Sequence, residues 1–284
     1  MGTYELTVLS IIGLAAGLVG GTLGVGGSIV AIPAMTELLG PDQHRYQAAA
    51  MIVTFFVAAP AAYQHRRAGA IETGTVLRLV PIGVIAIVGG VLLSELRIFA
   101  GPNESYLRLL FALFLLTVAA TDLYRGLRRK ADGATLASNV DVANDRRTPI
   151  SWRAAAAVAV PTGLVAGLLG VGGGVLTVPL QRKFLKIPIR TAIANSATMI
   201  AGTSFVGACV KNYAVVRDPN EGYRPLVLAA ILIPTAICGS LIGSRLTHTL
   251  PLRLLKTAFF VLLLAAALRL TYGALMAASI RVGS

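Results

Sequence analysis

A few hydroxyl and amide side chains stand inside long apolar stretches of this chain, and they are the first candidates for chemistry. Asn195, Ser196 and Thr198 lie together in one stretch, and Thr54 lies in another. Each can donate hydrogen bonds without carrying a charge. Asn195, Thr198 and Gly202 share one helical face through i, i+3 and i+7 spacing, and a polar face in a membrane helix is expected to point inward. Asn195 would contact a bound substrate or a neighbouring helix, whereas Ser and Thr can also bond their own helix carbonyls.

Two glycine-rich segments supply the second group of candidates. Residues 17–33 read GLVGGTLGVGGSIVAIP and residues 163–179 read GLVAGLLGVGGGVLTVP, which marks an internal duplication. Glycine lets backbone amides approach a ligand, and a helix that begins there offers unpaired N–H groups and the positive end of its dipole. The alternative is that the glycines serve helix packing alone. The predicted binding residues in these segments are Gly24, Gly26, Gly27, Ser28, Gly170, Gly172, Gly173 and Gly174.

Composition places these segments in a membrane. Hydrophobic residues make up 56% of the 284 residues and charged residues only 13%, against roughly 25% charged in a soluble domain. Apolar stretches near 20 residues recur, which predicts an all-α membrane protein, and the alternating strands of a membrane barrel are absent. The net charge of +13 fits a positive-inside cytoplasmic face, with attraction of an anionic substrate as the sharper interpretation. Basic residues confined to short loops argue against a nucleic-acid partner.

The chain divides into a first transmembrane repeat over 1–124, a cytoplasmic linker over 125–153 and a second repeat over 154–284. Each repeat is predicted to begin with a half-helix, a glycine turn near the midplane and a returning half-helix, since irregular backbone is tolerated only where protein or a water-filled cavity surrounds it. Three spans follow in each repeat: about 46–64, 74–96 and 105–124, then 190–211, 225–247 and 252–276. Small residues at 88–96 and 238–246 echo one another and would allow close helix packing.

Charge bias favours this re-entrant arrangement over full crossings. Re-entrant hairpins place about 15 Lys and Arg inside and about 6 outside, whereas full crossings give about 13 and 8. Three crossings per repeat would then make the halves inverted repeats with both termini outside.

The paired motifs carry a family resemblance. Gly24-Val25-Gly26-Gly27-Ser28 and Gly170-Val171-Gly172-Gly173-Gly174, each followed by a proline, resemble the glycine motifs of the sulfite exporter TauE/SafE family. The resemblance extends over nearly the whole chain and implies transport of small sulfur-containing or organic anions, such as sulfite or sulfonates. Family members often carry a Thr-Ser pair early in the helix after each hairpin. Here Asn195-Ser196 stands at that place in the second half, and the apolar Ala50-Met51 in the first.

These observations predict a multi-pass inner-membrane secondary transporter that exports small anions. The anion would be held at the midplane by half-helix N-termini, because an unpaired charge in the bilayer costs several kcal/mol or more. The alternatives are a channel-like anion pore and a non-transporting membrane subunit that uses its glycine hairpins for packing. We predict no cofactor, no metal ligands and no enzyme activity, since nucleotide-binding, metal and triad signatures are absent. The expected partners are the substrate anion and the lipid bilayer, and a homodimer stays open.

Overall fold

The computed structural model describes residues 3–40, 42–99, 104–131, 150–217, 222–249, 261, 264–265 and 267–269. These residues are almost entirely helical, and no strand occurs among them. The helices of the first half are α1 (Thr3–Leu23), α2 (Ser28–Leu39), α3 (Gln43–Arg67), α4 (Thr73–Ser94) and α5 (Glu104–Ala131), with a 3₁₀ turn at Arg97–Phe99. Those of the second half are α6 (Trp152–Leu169), α7 (Gly174–Leu180), which continues into a π-helical turn at Gln181–Leu185, α8 (Ile189–Val216) and α9 (Arg224–Thr249).

Seven of the described helices are long and apolar enough to cross a membrane: α1, α3, α4, α5, α6, α8 and α9. The prediction of an all-α membrane protein is therefore confirmed. Helix α5 continues past the predicted boundary at 124, and α6 begins inside the predicted linker. The span predicted at 252–276 lies almost wholly outside the described residues.

The segments before the glycine turns differ from the predicted half-helices. Helix α1 has 21 residues and α6 has 18, each a membrane-length helix by size and composition. Glycine inside a helix costs roughly 1 kcal/mol relative to alanine, but here it permits contact between backbones. A Cβ on Gly17 would clash with the backbone of Ala236 in α9, and a Cβ on Gly163 would lie 2.7 Å from the Gly83 carbonyl in α4. Packing against a partner helix thus stabilises a glycine-rich helix.

Each first helix packs against a helix of the other half. Helix α1 lies along α9, and α6 lies along α4. The contacts correspond, since Gly21 approaches Ser240 while Gly167 approaches Gly90. The two segments with a small-residue echo, 88–96 and 238–246, are therefore the surfaces that receive these helices, as close packing requires.

Helices α3 and α8 form the central pair and occupy equivalent places in the two halves. Gly24 of the first turn lies against Ile193 of α8, and Gly170 of the second lies against Gln47 of α3. Both glycines and both contacted residues are 146 positions apart.

This central pair runs antiparallel. His44 at the start of α3 contacts Lys211 near the end of α8, and in the middle of both helices Phe55 packs against Phe205 with ring centroids 5.3 Å apart. Helices α3 and α8 therefore point in opposite directions.

Gly90→Ala in α4 is expected to destabilise the protein by about 1–3 kcal/mol because its new Cβ is overpacked. That atom would clash with the Leu164 carbonyl and lie 2.9 Å from the Gly167 Cα. Gly74→Ala in the same helix is the matched control, since nothing lies within 4 Å of its Cβ position. Thermal unfolding of the detergent-purified variants measures the difference. Equal melting temperatures for the two variants would contradict the packing role.

Candidate functional site

Two turns rich in left-handed glycine form the centre of the site. Between α1 and α2, Gly24 and Gly26 have φ of +63° and +87°; between α6 and α7, Gly170, Gly172 and Gly173 have φ of +74°, +68° and +79°. An L side chain rarely adopts this region, because its Cβ would crowd the backbone. The two GVGG motifs therefore specify sharp changes of chain direction.

The residue that precedes α2 and the residue that precedes α7 each contact the helix before the turn. A Cβ on Gly27 would lie 3.2 Å from Ala16 of α1, and one on Gly173 would lie 2.7 Å from Thr162 of α6. No side chain caps the start of α2 or α7. Their first N–H groups thus lack the usual side-chain acceptor and can serve another one.

The two glycine turns touch one another. A Cβ on Gly174 would lie 2.5 Å from the Val25 Cα and would clash with the Gly24 carbonyl, and one on Gly26 would lie 3.6 Å from the Val171 carbonyl. The duplicated motifs, 146 residues apart in sequence, are therefore brought together between α3 and α8.

Thr54 and Ser204 carry hydroxyls to this contact. A Cβ on Gly172 would lie 2.5 Å from the Thr54 Cγ2 and 3.5 Å from the Ser204 Oγ, and one on Gly26 would lie 3.0 Å from the same Thr54 methyl. Both hydroxyls are fully buried and have no hydrogen-bond partner within the described residues, and the same holds for Ser28 in the first turn of α2. Because a buried polar atom without a partner is costly, these groups are suited to a polar ligand.

Ser196 and Thr198 have other partners. The Ser196 Oγ donates to the Gly24 carbonyl at 2.8 Å, so it fixes the first turn against α8. The Thr198 hydroxyl donates to the Ala194 carbonyl of its own helix at 3.0 Å. Ser196 therefore helps to position the candidate site. Thr198 bonds its own helix, which is the alternative given above for serine and threonine.

Asn195 joins three segments of the protein. Its Oδ1 accepts a hydrogen bond from the Glu72 N–H at the start of α4 (2.9 Å), and its Nδ2 donates to the Gln181 Oε1 after α7 (3.3 Å). The side chain is fully buried. Asn195 was expected to contact either a bound substrate or a neighbouring helix, and these bonds correspond to the second alternative.

The contacts of the glycine turns correct one alignment between the halves. Gln47 and Ile193 hold equivalent places against the glycine turns, so the residues equivalent to Asn195-Ser196 are Ala49-Ala50. The sequence comparison placed them one residue later, at Ala50-Met51, because apolar helices offer few landmarks for a register. The equivalent pair is apolar in either register.

A charged cluster at one end of the bundle was not predicted. Lys211 of α8 is fully buried, and its Nζ donates to the Glu95 carboxylate, to the Ser94 Oγ at 3.0 Å and to the His44 Nδ1 at 2.8 Å. The other ring nitrogen of His44 lies 3.0 Å from the Phe99 carbonyl and can donate to it. All three N–H groups of the ammonium group are thereby satisfied.

Glu95 lies just after the end of α4 and supplies the negative charge. Burial alone would raise the pKa of Glu95, but the nearby His44 ring and the charge of Lys211 outweigh it and lower the pKa to about 2. Glu95 is therefore a carboxylate at neutral pH. The sequence signal for this cluster was Lys211 itself, since a lysine within a membrane helix needs a partner. The predicted span ended at residue 211, so Lys211 stood at its boundary and not within the membrane.

A cavity of about 300 Å³ lies beside α3, α8 and α9, away from the glycine turns. Phe55, Phe56 and Phe205 dominate its wall, and no charged residue lines it. Its chemistry does not fit an anion, and so the glycine turns remain the candidate site.

Two related halves, seven membrane-length helices and paired glycine turns define a polytopic helical membrane protein with an internal duplication. The chain belongs to the sulfite exporter TauE/SafE family, whose model matches residues 9–270. It is a multi-pass inner-membrane protein.

The similar proteins are described as probable membrane transporters. The chain is 27% identical to the probable membrane transporter protein MamO of Magnetospirillum gryphiswaldense over 94% of its own length and 45% of that relative; it thus spans about half the length of MamO. It is 24% identical to the probable membrane transporter protein MJ0441 of Methanocaldococcus jannaschii over 86% of each chain. It is 22% identical to the probable membrane transporter protein YunE of Bacillus subtilis over 94% of this chain and 98% of the relative. No solved structure matches the chain.

Proposed function

We propose that this protein is a transporter that exports small sulfur-containing or organic anions, such as sulfite or sulfonates, and binds them where the two glycine turns meet. The observation that carries the proposal is the pair of buried, unpartnered hydroxyls of Thr54 and Ser204 at this contact. A sulfite or sulfonate oxygen accepts hydrogen bonds, and a hydroxyl donates them.

The start of α2 supplies the positive potential that the site needs. Its first N–H groups have no side-chain cap, and its dipole places roughly +0.5 charge at this end. Ser28 adds a third buried hydroxyl without a partner. Backbone donors and hydroxyls together would solvate an anion without a fixed cation that would hold it too tightly.

The helix directions support inverted repeats with re-entrant hairpins. Equivalent helices α3 and α8 run antiparallel. A Cβ on Gly27, just before α2, would lie 3.3 Å from Val57, which is past the middle of α3. Helix α2 ends at Leu39, just before α3 starts. The hairpin therefore returns to the end of the bundle from which α3 departs. In this proposal the repeats are 1–124 and 154–284, and the linker 125–153 is cytoplasmic.

Alternating access would move mixed helix pairs rather than one half against the other. Since α1 packs along α9 and α6 along α4, neither half is an independent packing unit. The hydroxyls of Thr54 and Ser204 are fully buried, so the glycine turns would have to separate to admit an anion. Export fits this site energetically, because an inside-negative potential drives an anion outward by about 2.3 kcal/mol per charge per 100 mV.

Thr54→Val combined with Ser204→Ala is expected to lower sulfite efflux at least tenfold. The substitutions remove two hydrogen-bond donors and keep the backbone, and a loss of 1.4 kcal/mol already corresponds to a factor of ten. Efflux is measured from liposomes that contain only this protein, with sulfoacetate, thiosulfate, sulfate, acetate and chloride as competitors.

Thr117→Val is the matched control, since its exposed hydroxyl bonds the Leu113 carbonyl of its own helix. Saturation at millimolar sulfite supports a carrier, and a linear rate supports a pore instead. If wild-type liposomes release none of the tested anions, or if the double variant matches Thr117→Val, the anion site at the glycine turns is wrong. A silent wild type would favour a non-transporting subunit.

A further inference from the structure

Lys211 lies on the same helix and the same face as the candidate site. It follows Ser204 by seven residues, which is two turns or about 10 Å along α8. Among the described residues, it is the one Lys or Arg whose side chain is fully buried. A buried ammonium group must have a counter-ion, and Glu95 provides it.

The interface between α3 and α8 connects the glycine turns to this cluster. Along α3, Thr54, Met51, Gln47 and His44 recur at intervals of three and four residues and so share a face. A Cβ on Gly207 of α8 would lie 3.5 Å from the Met51 Sδ, which places the two helices in close contact here. The Gln47 Oε1 is buried without a partner within the described residues; as an acceptor it suits a water molecule or a protonated oxygen of an anion on this route.

Among the described residues, the related positions at the other end of the bundle do not repeat this cluster. By the repeat offset of 146, His65 is the residue equivalent to Lys211. By the echo between 88–96 and 238–246, Arg245 is the residue equivalent to Glu95. The carboxylate is thus replaced by a cation at the other end. The internal duplication therefore does not by itself account for the buried ion pair.

The side chains of Glu95 and Lys211 differ in their access to water. The Glu95 side chain is 33% exposed and follows the last residue of α4, whereas the Lys211 side chain is 0% exposed. Glu95 can turn toward water, while Lys211 would remain buried and need another anion. His44 of α3 and Glu104 of α5 also face Lys211, and Glu104 acts from farther away.

We propose that an anion moving along the α3–α8 interface replaces Glu95 as the counter-ion of Lys211, which makes Lys211 a second anion-binding position. In the structure Glu95 occupies this position and closes this end of the interface. A monoanion that takes its place keeps the buried charge balanced. The inference rests on the proposed function for the route of the anion, but the binding of an anion to Lys211 can be tested without transport.

The test is sulfite binding to the detergent-purified full chain, followed by thermal stabilisation at fixed pH. A ligand that binds the folded state stabilises it by mass action. Glu95→Gln removes the competing carboxylate, and we expect it to lower the Kd for sulfite about tenfold. Adding Lys211→Met to Glu95→Gln should abolish that gain. Glu37→Gln is the matched control, because it removes the carboxylate of an exposed ion pair with Arg269, and it should leave the Kd unchanged.

Equal sulfite affinity in Glu95→Gln and in the double variant overturns the proposal, as does the absence of any tighter binding in Glu95→Gln. If Glu95→Gln does not fold, the double variant, which carries neither charge, is assayed for sulfite efflux. A loss of at least tenfold relative to wild type is expected, and unchanged efflux overturns the proposal.

The two sites are separated by combining Glu95→Gln with the Thr54→Val and Ser204→Ala substitutions. If the gain at Lys211 persists while the hydroxyl substitutions have no effect on wild-type binding, the site at the glycine turns is wrong and the Lys211 position stands. If the hydroxyl substitutions weaken binding and Glu95→Gln changes nothing, the reverse holds.

Discussion

Gly172→Ala is expected to lower sulfite efflux at least tenfold and to lower the melting temperature, whereas Gly69→Ala leaves efflux unchanged. The two glycines have nearly the same left-handed conformation, with φ of +68° and +65°. Alanine in this conformation costs about 1–2 kcal/mol at either position. Only at Gly172 would the new Cβ lie 2.5 Å from the Thr54 Cγ2, while nothing lies within 4 Å at Gly69.

This pair of variants separates backbone strain from the shape of the site. Thermal unfolding in detergent measures the strain common to both, and efflux from liposomes measures the displacement of Thr54. Comparable losses of efflux in the two variants would mean that left-handed strain alone matters and that the contact between the turn and α3 has no functional role.

Asn195→Ala is expected to lower the free energy of unfolding by about 2–4 kcal/mol while leaving the Kd for sulfite unchanged. The substitution leaves the Glu72 N–H and the Gln181 Oε1 without a buried partner, and each unsatisfied group costs about 1–3 kcal/mol. Denaturation in detergent and sulfite titration measure the two quantities separately.

Thr198→Val on the same helix is the control, because it removes only a bond to the Ala194 carbonyl within the helix. It should change stability by much less than Asn195→Ala. Loss of sulfite binding in a stable Asn195→Ala protein would return Asn195 to the ligand site.

The glycine turns were predictable because their constraint is local. A left-handed backbone selects glycine at each such position, so GVGG written twice in register specifies two equivalent turns. The helices that carry Thr54 and Asn195 were likewise predictable from the length of their apolar stretches. The role of Asn195 was not, since its partners Glu72 and Gln181 come from two other segments and no spacing in the sequence joins them.

The ion cluster illustrates the same limit more strongly. His44, Glu95 and Lys211 stand at the ends of three helices, 51 and 116 residues apart along the chain. These three side chains meet only when their helices pack, so no spacing in the sequence joins them. The lengths of α1 and α6 were missed for a related reason, because helix propensity takes no account of a partner helix that accepts glycine.

The packing of α1 against a helix of the other half affects biosynthesis. Gly13 of α1 lies against Leu232 of α9, 219 residues later, and at roughly 5–20 residues per second the ribosome needs about 10–40 s to make that partner. During this interval α1 can be in the bilayer without the surface that its glycines match. Contacts so distant in sequence also slow folding, because the chain must close long loops before they form. Helix α1 is therefore exposed to mispairing with other helices while the protein is being made.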